Sequence, residues 1–246
     1  MTLDRSLALA AIESHAHAVA VTAPRSWGAP IEGCPGWSAE DVVRHLCDVH
    51  WFWERIVADR LDAPPEGGHP ATPGLDRLAG HFEEGAARLV ATLAAADPDA
   101  SVWTWAPAQR DVAFVTRHQV QEMAVHHFDV ASALGEPWSM SPPVAADAIE
   151  EFLTFSVSSP LDPADPPRPP LGGRLGLVAR DADAAWTVVD AGGGTVTWSR
   201  GVDGPSDTLE ADAARLLLWL YGRVEVDGDE TARGLGARLR ALAFTD

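Results

Sequence analysis

The sequence contains no lysine, and all 18 of its cationic residues are arginine. Schiff-base chemistry, a phosphate-loop lysine and every other lysine-dependent mechanism are thereby excluded. Positive charge of any kind is scarce: 18 basic residues face 36 acidic ones, for a formal net charge of -18. Such a chain repels phosphate backbones and anionic lipid surfaces, which argues against nucleic-acid and membrane partners. The two cysteines, Cys34 and Cys47, have neither the number nor the spacing of a disulfide framework or a CxxC motif, so reduced thiols are expected. No run of about 18 apolar residues occurs, and the stretch MTLDRSLALAAIESHAHAVA lacks the sustained apolar core and cleavage site of a leader peptide. The expected location is the cytoplasm.

What is present suffices for a packed core, with 46% hydrophobic residues over 246 positions, enough for one large domain or two small ones. Apolar residues recur at helical spacing over 4–22, and Ser38 stands as an N-cap, with Glu40 and Asp41 in the first turn, for a helix to about Arg60. Further helices are expected over Leu75–Ala95, Thr116–Leu134 with Gly135 as its stop, and Pro143–Val157. Together they read as a bundle. The dense proline and glycine of SSPLDPADPPRPPLGG (158–173) rule out continued helix, placing a linker at 159–170 between a bundle domain, 1–158, and a C-terminal domain, 171–246. Beyond it, short strands are predicted at Arg174–Ala179, Ala185–Asp190 and Thr195–Trp198, then a helix over Glu210–Tyr221. The fold class is α+β, a helical bundle followed by a small α/β domain with a partly antiparallel sheet.

In the fourth helix Glu122 and His126 are four residues apart and share a face. That pair can hold a metal, or it can be a solvated stripe or a buried hydrogen-bonded pair. His118 extends the stripe, but eight residues rise about 12 Å, so His118 and His126 cannot both reach one ion. A third ligand must come from elsewhere. His45, in the apolar run Val42, Val43, Leu46, Val49, is the best candidate, though a lone histidine there also reads as a satisfied core residue. His50 competes with it from about 140° around the helix. With Trp51 and Trp53, His50 suggests a packed or ligand-facing rim, making His50 and Trp53 cofactor-binding candidates. Asp41 and Asp48 flank His45 and offer to orient its second ring nitrogen, or are simply solvated.

Two of these segments match a known pattern. GCPGWSAEDVVRHLCDVHWF (33–52) and RHQVQEMAVHHFDV (117–130) resemble the two motifs of the mycothiol-dependent maleylpyruvate isomerase family, within the DinB-like superfamily. Trp186-Thr187 and ADAARLLLWLYGRVEVDG (211–228) are similar to the sterol-carrier-like domain that follows the bundle there. The resemblance implies that His45, Glu122 and His126 hold one divalent metal, expected to be zinc, with the thiol of mycothiol as its further ligand. Gln121, where histidine is common, and His127-Phe128, where Arg-Trp is common, depart from the pattern without touching a ligand.

Two histidines and a carboxylate leave coordination positions open, as in catalytic zinc sites. A thiolate there is a nucleophile able to add to an activated double bond and leave, or to stay attached, giving isomerase or S-transferase activity on a small electrophile. Arg223 is the catalytic candidate for holding an anionic substrate, although an arginine at a helix C-terminus also suits the helix dipole. Two other readings remain open. A hydrolase would use metal-bound water with His118, Asp48 or His50 as base, and a non-catalytic protein would only bind metal or thiol. Small molecules are the expected partners, and a monomer or homodimer the expected state.

Overall fold

Ser38 and Asp41 cap each other at the head of α2 (Ala39–Ala58): the Asp41 amide donates to Ser38 Oγ at 3.4 Å and the Ser38 amide to Asp41 Oδ2 at 2.8 Å. Two amides that the helix leaves free are satisfied at once. Asp4 caps α1 (Arg5–Thr22) through the Ser6 amide, and Asp111 caps α4 (Val112–Ala133) through the Phe114 amide at 2.8 Å. The fourth helix therefore starts upstream of the expected Thr116, because a capping aspartate outweighs the weak propensity of Val112 and Val115. The third helix, α3 (Leu75–Ala95), occupies its expected range.

In this computed structural model, which describes residues 3–157, 168–202 and 207–244, the chain divides into one unit spanning Thr2–Ser139 and another starting at Met140. Within the first, α1 and α2 each pack against both α3 and α4. Ile12, Val42, Leu46, Phe82, Phe114 and Met123 are fully enclosed between them. Most of α4 is buried on every side, His118, Gln121, His126 and Asp129 included, which makes it the central helix of the bundle.

The second unit holds a four-stranded sheet in the order β3-β2-β1-β4. β1 (Arg174–Ala179) runs antiparallel to β2 (Ala184–Gly192) and parallel to β4 (Asp207–Ala211), and β2 pairs antiparallel with β3 (Thr195–Arg200). The turn between β2 and β3 uses Gly193 and Gly194 at φ of 64° and 79°, a region that side chains disfavour. Helix α5 (Pro142–Phe155) packs on α6 (Ala213–Leu220), and α7 (Glu230–Leu242) lies against β1 and β4. The fully buried Trp186 donates from Nε1 to Glu150 on α5 at 3.1 Å, and Arg200 grips the same carboxylate through Nε and Nη2. The chain is thus α+β, a helical bundle followed by a small α/β unit.

Two expectations differ from this arrangement. The fifth helix belongs to the second unit, so the boundary falls at Met140 and not after residue 158. Proline marks where helices stop, not where packing changes partner. The start of the helix expected from Glu210 is the end of β4, and α7 goes beyond the elements expected. The linker expected at 159–170 lies outside the described residues over 159–167. Among the described residues, no helix is long and apolar enough to cross a membrane.

Candidate metal centre

The α2 capping box fixes the start of that helix, so His45 arrives two turns in, facing α4. Its Nε2 lies 2.9 Å from Glu122 Oε1, and His126 Nε2 approaches the same oxygen at 3.5 Å from one turn further along α4. One ligand atom from each residue lies within 4.8 Å of the others. Tetrahedral zinc with nitrogen and oxygen ligands at 2.0–2.1 Å sets neighbouring ligand atoms about 3.3 Å apart, which the two observed separations bracket. The donor set, two imidazoles and a carboxylate, suits zinc. Burial by itself would raise the Glu122 carboxyl, but His126, the hydrogen bond and charge of His45, and His118 outweigh it and hold it down to about 2. The carboxylate is ionised at neutral pH. The His45 side chain is 29% exposed against 10% for His126, so the cluster opens on the His45 side.

Around the triad stands a second ring of side chains. Nδ1 of His126 is 3.0 Å from Oδ2 of the buried Asp129, and the Cys34 thiol donates to that oxygen at 3.6 Å. The indole of Trp37 stacks near His126, with centroids 6.3 Å apart, and meets His45 edge-on at 5.2 Å. Cys34 and Trp37 come from a loop tied by backbone hydrogen bonds, Ile31 to Trp37, Ala39 to Ala29 and Glu40 to Trp27, at 2.9–3.0 Å. Sequence reasoning missed Trp37 as a wall of the site and set Cys34 aside. Their position depends on loop geometry, and only their nearness to the α2 cap hinted at it.

The structure relocates the remaining candidates. His50 and Trp53 are core residues, not a rim: His50 is 1% exposed, with Nε2 at 3.1 Å from Met123 Sδ and its ring stacked on Phe82. Burial pushes its pKa down to about 4. Trp53 sits in an aromatic cluster with Phe52, Trp103, Phe114 and His118. Of the two acids that flank His45, Asp41 is engaged in the capping box and Asp48 pairs with His69 at 2.8 Å. Cys47 lines a cavity of about 90 Å³ beside His50 and Arg88, and burial, then Asp48, pushes its thiol up to about 12. Arg223 follows α6 in the second unit and donates from Nη1 to the Tyr221 carbonyl at 2.9 Å.

The fold and the cluster define a class: a helical bundle whose facing helices bring two histidines and a carboxylate to spacings fit for one divalent ion. Residues 8–131 match the family profile described as the mycothiol maleylpyruvate isomerase N-terminal domain, and the chain belongs to that family. Two crystal structures of mycothiol-dependent maleylpyruvate isomerase share the fold. A single-site mutant is 11% identical, with a TM-score of 0.55 over 92% of this chain and 93% of its own. The second structure is 14% identical, with a TM-score of 0.54 over 92% of each chain. No curated protein sequence matches.

Proposed function

We propose that this chain is a cytoplasmic, metal-dependent enzyme that uses a mycothiol-type thiol to isomerise, or to conjugate, a small electrophilic substrate. The observation that carries the reading is the convergence of His45, Glu122 and His126 within 4.8 Å. Those residues would hold zinc or another divalent ion, which when bound supplies a Lewis acid at which a thiol is deprotonated at neutral pH.

The chain's own residues define the rest. Glu122, ionised at neutral pH, balances positive charge at the centre, and Asp129 fixes the orientation of His126. Trp37 offers an apolar wall on the open side, which limits the water reaching the reacting atoms. Arg223, in the second unit, is put forward for the carboxylate of an anionic substrate on the chemistry of its guanidinium alone. The bases that hydrolysis would recruit are engaged elsewhere: Asp48 with His69, His50 with Met123, and His118 within its aromatic cluster. That favours the thiol reading over hydrolysis.

Calorimetry of the zinc-loaded protein with mycothiol tests this. Stoichiometric binding that disappears in the metal-free protein and in His126→Ala is the expected result, together with thiol-dependent turnover of maleylpyruvate or a related electrophile. Binding of mycothiol with equal affinity in the presence and absence of metal would sink it.

A further inference from the structure

We propose that the chain carries a second divalent-ion site, selective for thiophilic ions, made by Cys34, Asp129 and the ring of His126. One ligand atom from each of the three lies within 4.8 Å of the others. The Cys34 sulfur is 3.6 Å from Asp129 Oδ2, and that oxygen is 3.0 Å from His126 Nδ1. Tetrahedral zinc with sulfur at 2.3 Å and oxygen or nitrogen near 2.0 Å separates sulfur from oxygen by about 3.5 Å, and nitrogen from oxygen by about 3.3 Å. Two of its separations thus already lie near those of a loaded site, and the third, from sulfur to nitrogen, is within 4.8 Å.

Its chemistry differs from that of the triad. One sulfur, one nitrogen and one oxygen favour zinc, cobalt or cadmium over magnesium or calcium. Asp129 and His126 are buried while Cys34 is half-exposed, so an ion reaches two desolvated ligands from the Cys34 side. The ring of His126 points Nε2 toward Glu122 and Nδ1 toward Asp129, so when both centres fill, Nδ1 gives up its proton to solvent and one imidazolate bridges them. Two positive ions on one ring repel, so the second binds more weakly than the first.

The order of filling rests on the triad reading, but the existence of the second site does not. The test is a cobalt titration of metal-free protein without any added thiol. No triad residue carries sulfur, so a thiolate-to-cobalt charge-transfer band in the near ultraviolet reports a cysteine of the chain. Wild type is expected to take up two equivalents, the band growing with the second. Cys34→Ser should take up one and show no band, Cys47→Ser should match wild type, and His45→Ala should take up one equivalent and keep the band. A wild-type protein that binds one ion without a band overturns the second site and leaves the triad standing, as does a band that survives Cys34→Ser. One equivalent with a band in wild type and His45→Ala alike upholds the second site and removes the triad.

Discussion

Oδ2 of Asp129 lies 3.0 Å from Nδ1 of His126, and its side chain is 1% exposed. While the triad alone is filled, a carboxylate so placed keeps the imidazole proton on Nδ1 and leaves Nε2 free to coordinate. Asp129→Ala should lower zinc affinity by about 10–100-fold. Competition with a chromogenic chelator reads the loss, and an unchanged constant would show that Asp129 does not orient the ring.

Elemental analysis of purified protein should find one tightly held ion per chain in wild type, and far less in His45→Ala, Glu122→Gln and His126→Ala. His118→Ala should keep it. His118 shares α4 with Glu122 and His126 but packs into the Trp53, Trp105 and Phe114 cluster, so its loss costs stability and not a ligand. Equal loss of metal in His118→Ala contradicts the assignment.

Burial holds His50 down to about 4, well below its ordinary value, so the unfolded chain takes up the proton more readily than the folded one. Stability from this group is fully present above the ordinary histidine pKa and is lost as pH falls through 4. His15 and His127, which burial also pushes down to about 4, act in the same direction. Urea unfolding of chelator-treated protein should show a fall in stability between pH 7 and 5 to which His50 contributes on the order of 1–2 kcal/mol. His50→Leu should flatten that dependence by about one proton. A slope equal to that of wild type would mean that His50 is not held neutral.

Ending the chain at Ser139 should give a better-behaved fragment than ending it at residue 158. The longer piece retains α5, whose buried face of Val144, Ile149 and Phe152 belongs to the unit that has been removed. Light scattering should show aggregation of the longer fragment only, while the shorter keeps its zinc and has no thiol-dependent turnover. Full turnover by the shorter fragment would deny the second unit any catalytic part.

The bundle helices were legible because their signals are local: the Ser38 cap, the helical spacing of apolar residues in α2 and α3, and the glycine after α4. The triad was legible in part. Glu122 and His126 announce themselves at one-turn spacing, whereas pairing them with His45, 77 residues earlier, needed the resemblance, since spacing says nothing about which helices cross. His50 and Trp53 were misplaced because polar and aromatic side chains mark a rim and a core equally well. The strand at Asp207–Ala211 was absorbed into a helix because its burial depends on pairing with β1, a contact invisible in its own five residues.

The loop that carries Cys34 and Trp37 is held by its own main chain, while the triad stands on helices capped at their first turns. Mutational constraint is therefore divided. Helix faces carry the proposed ligands, and substitutions at Glu32, Pro35 and Trp37 would leave those helices and their caps in place, provided that Gly36 keeps its φ of 90°. On the proposed function, exchanging a few loop side chains would change the electrophile accepted while leaving the ligand set untouched. A directed library confined to those three positions starts from that natural division.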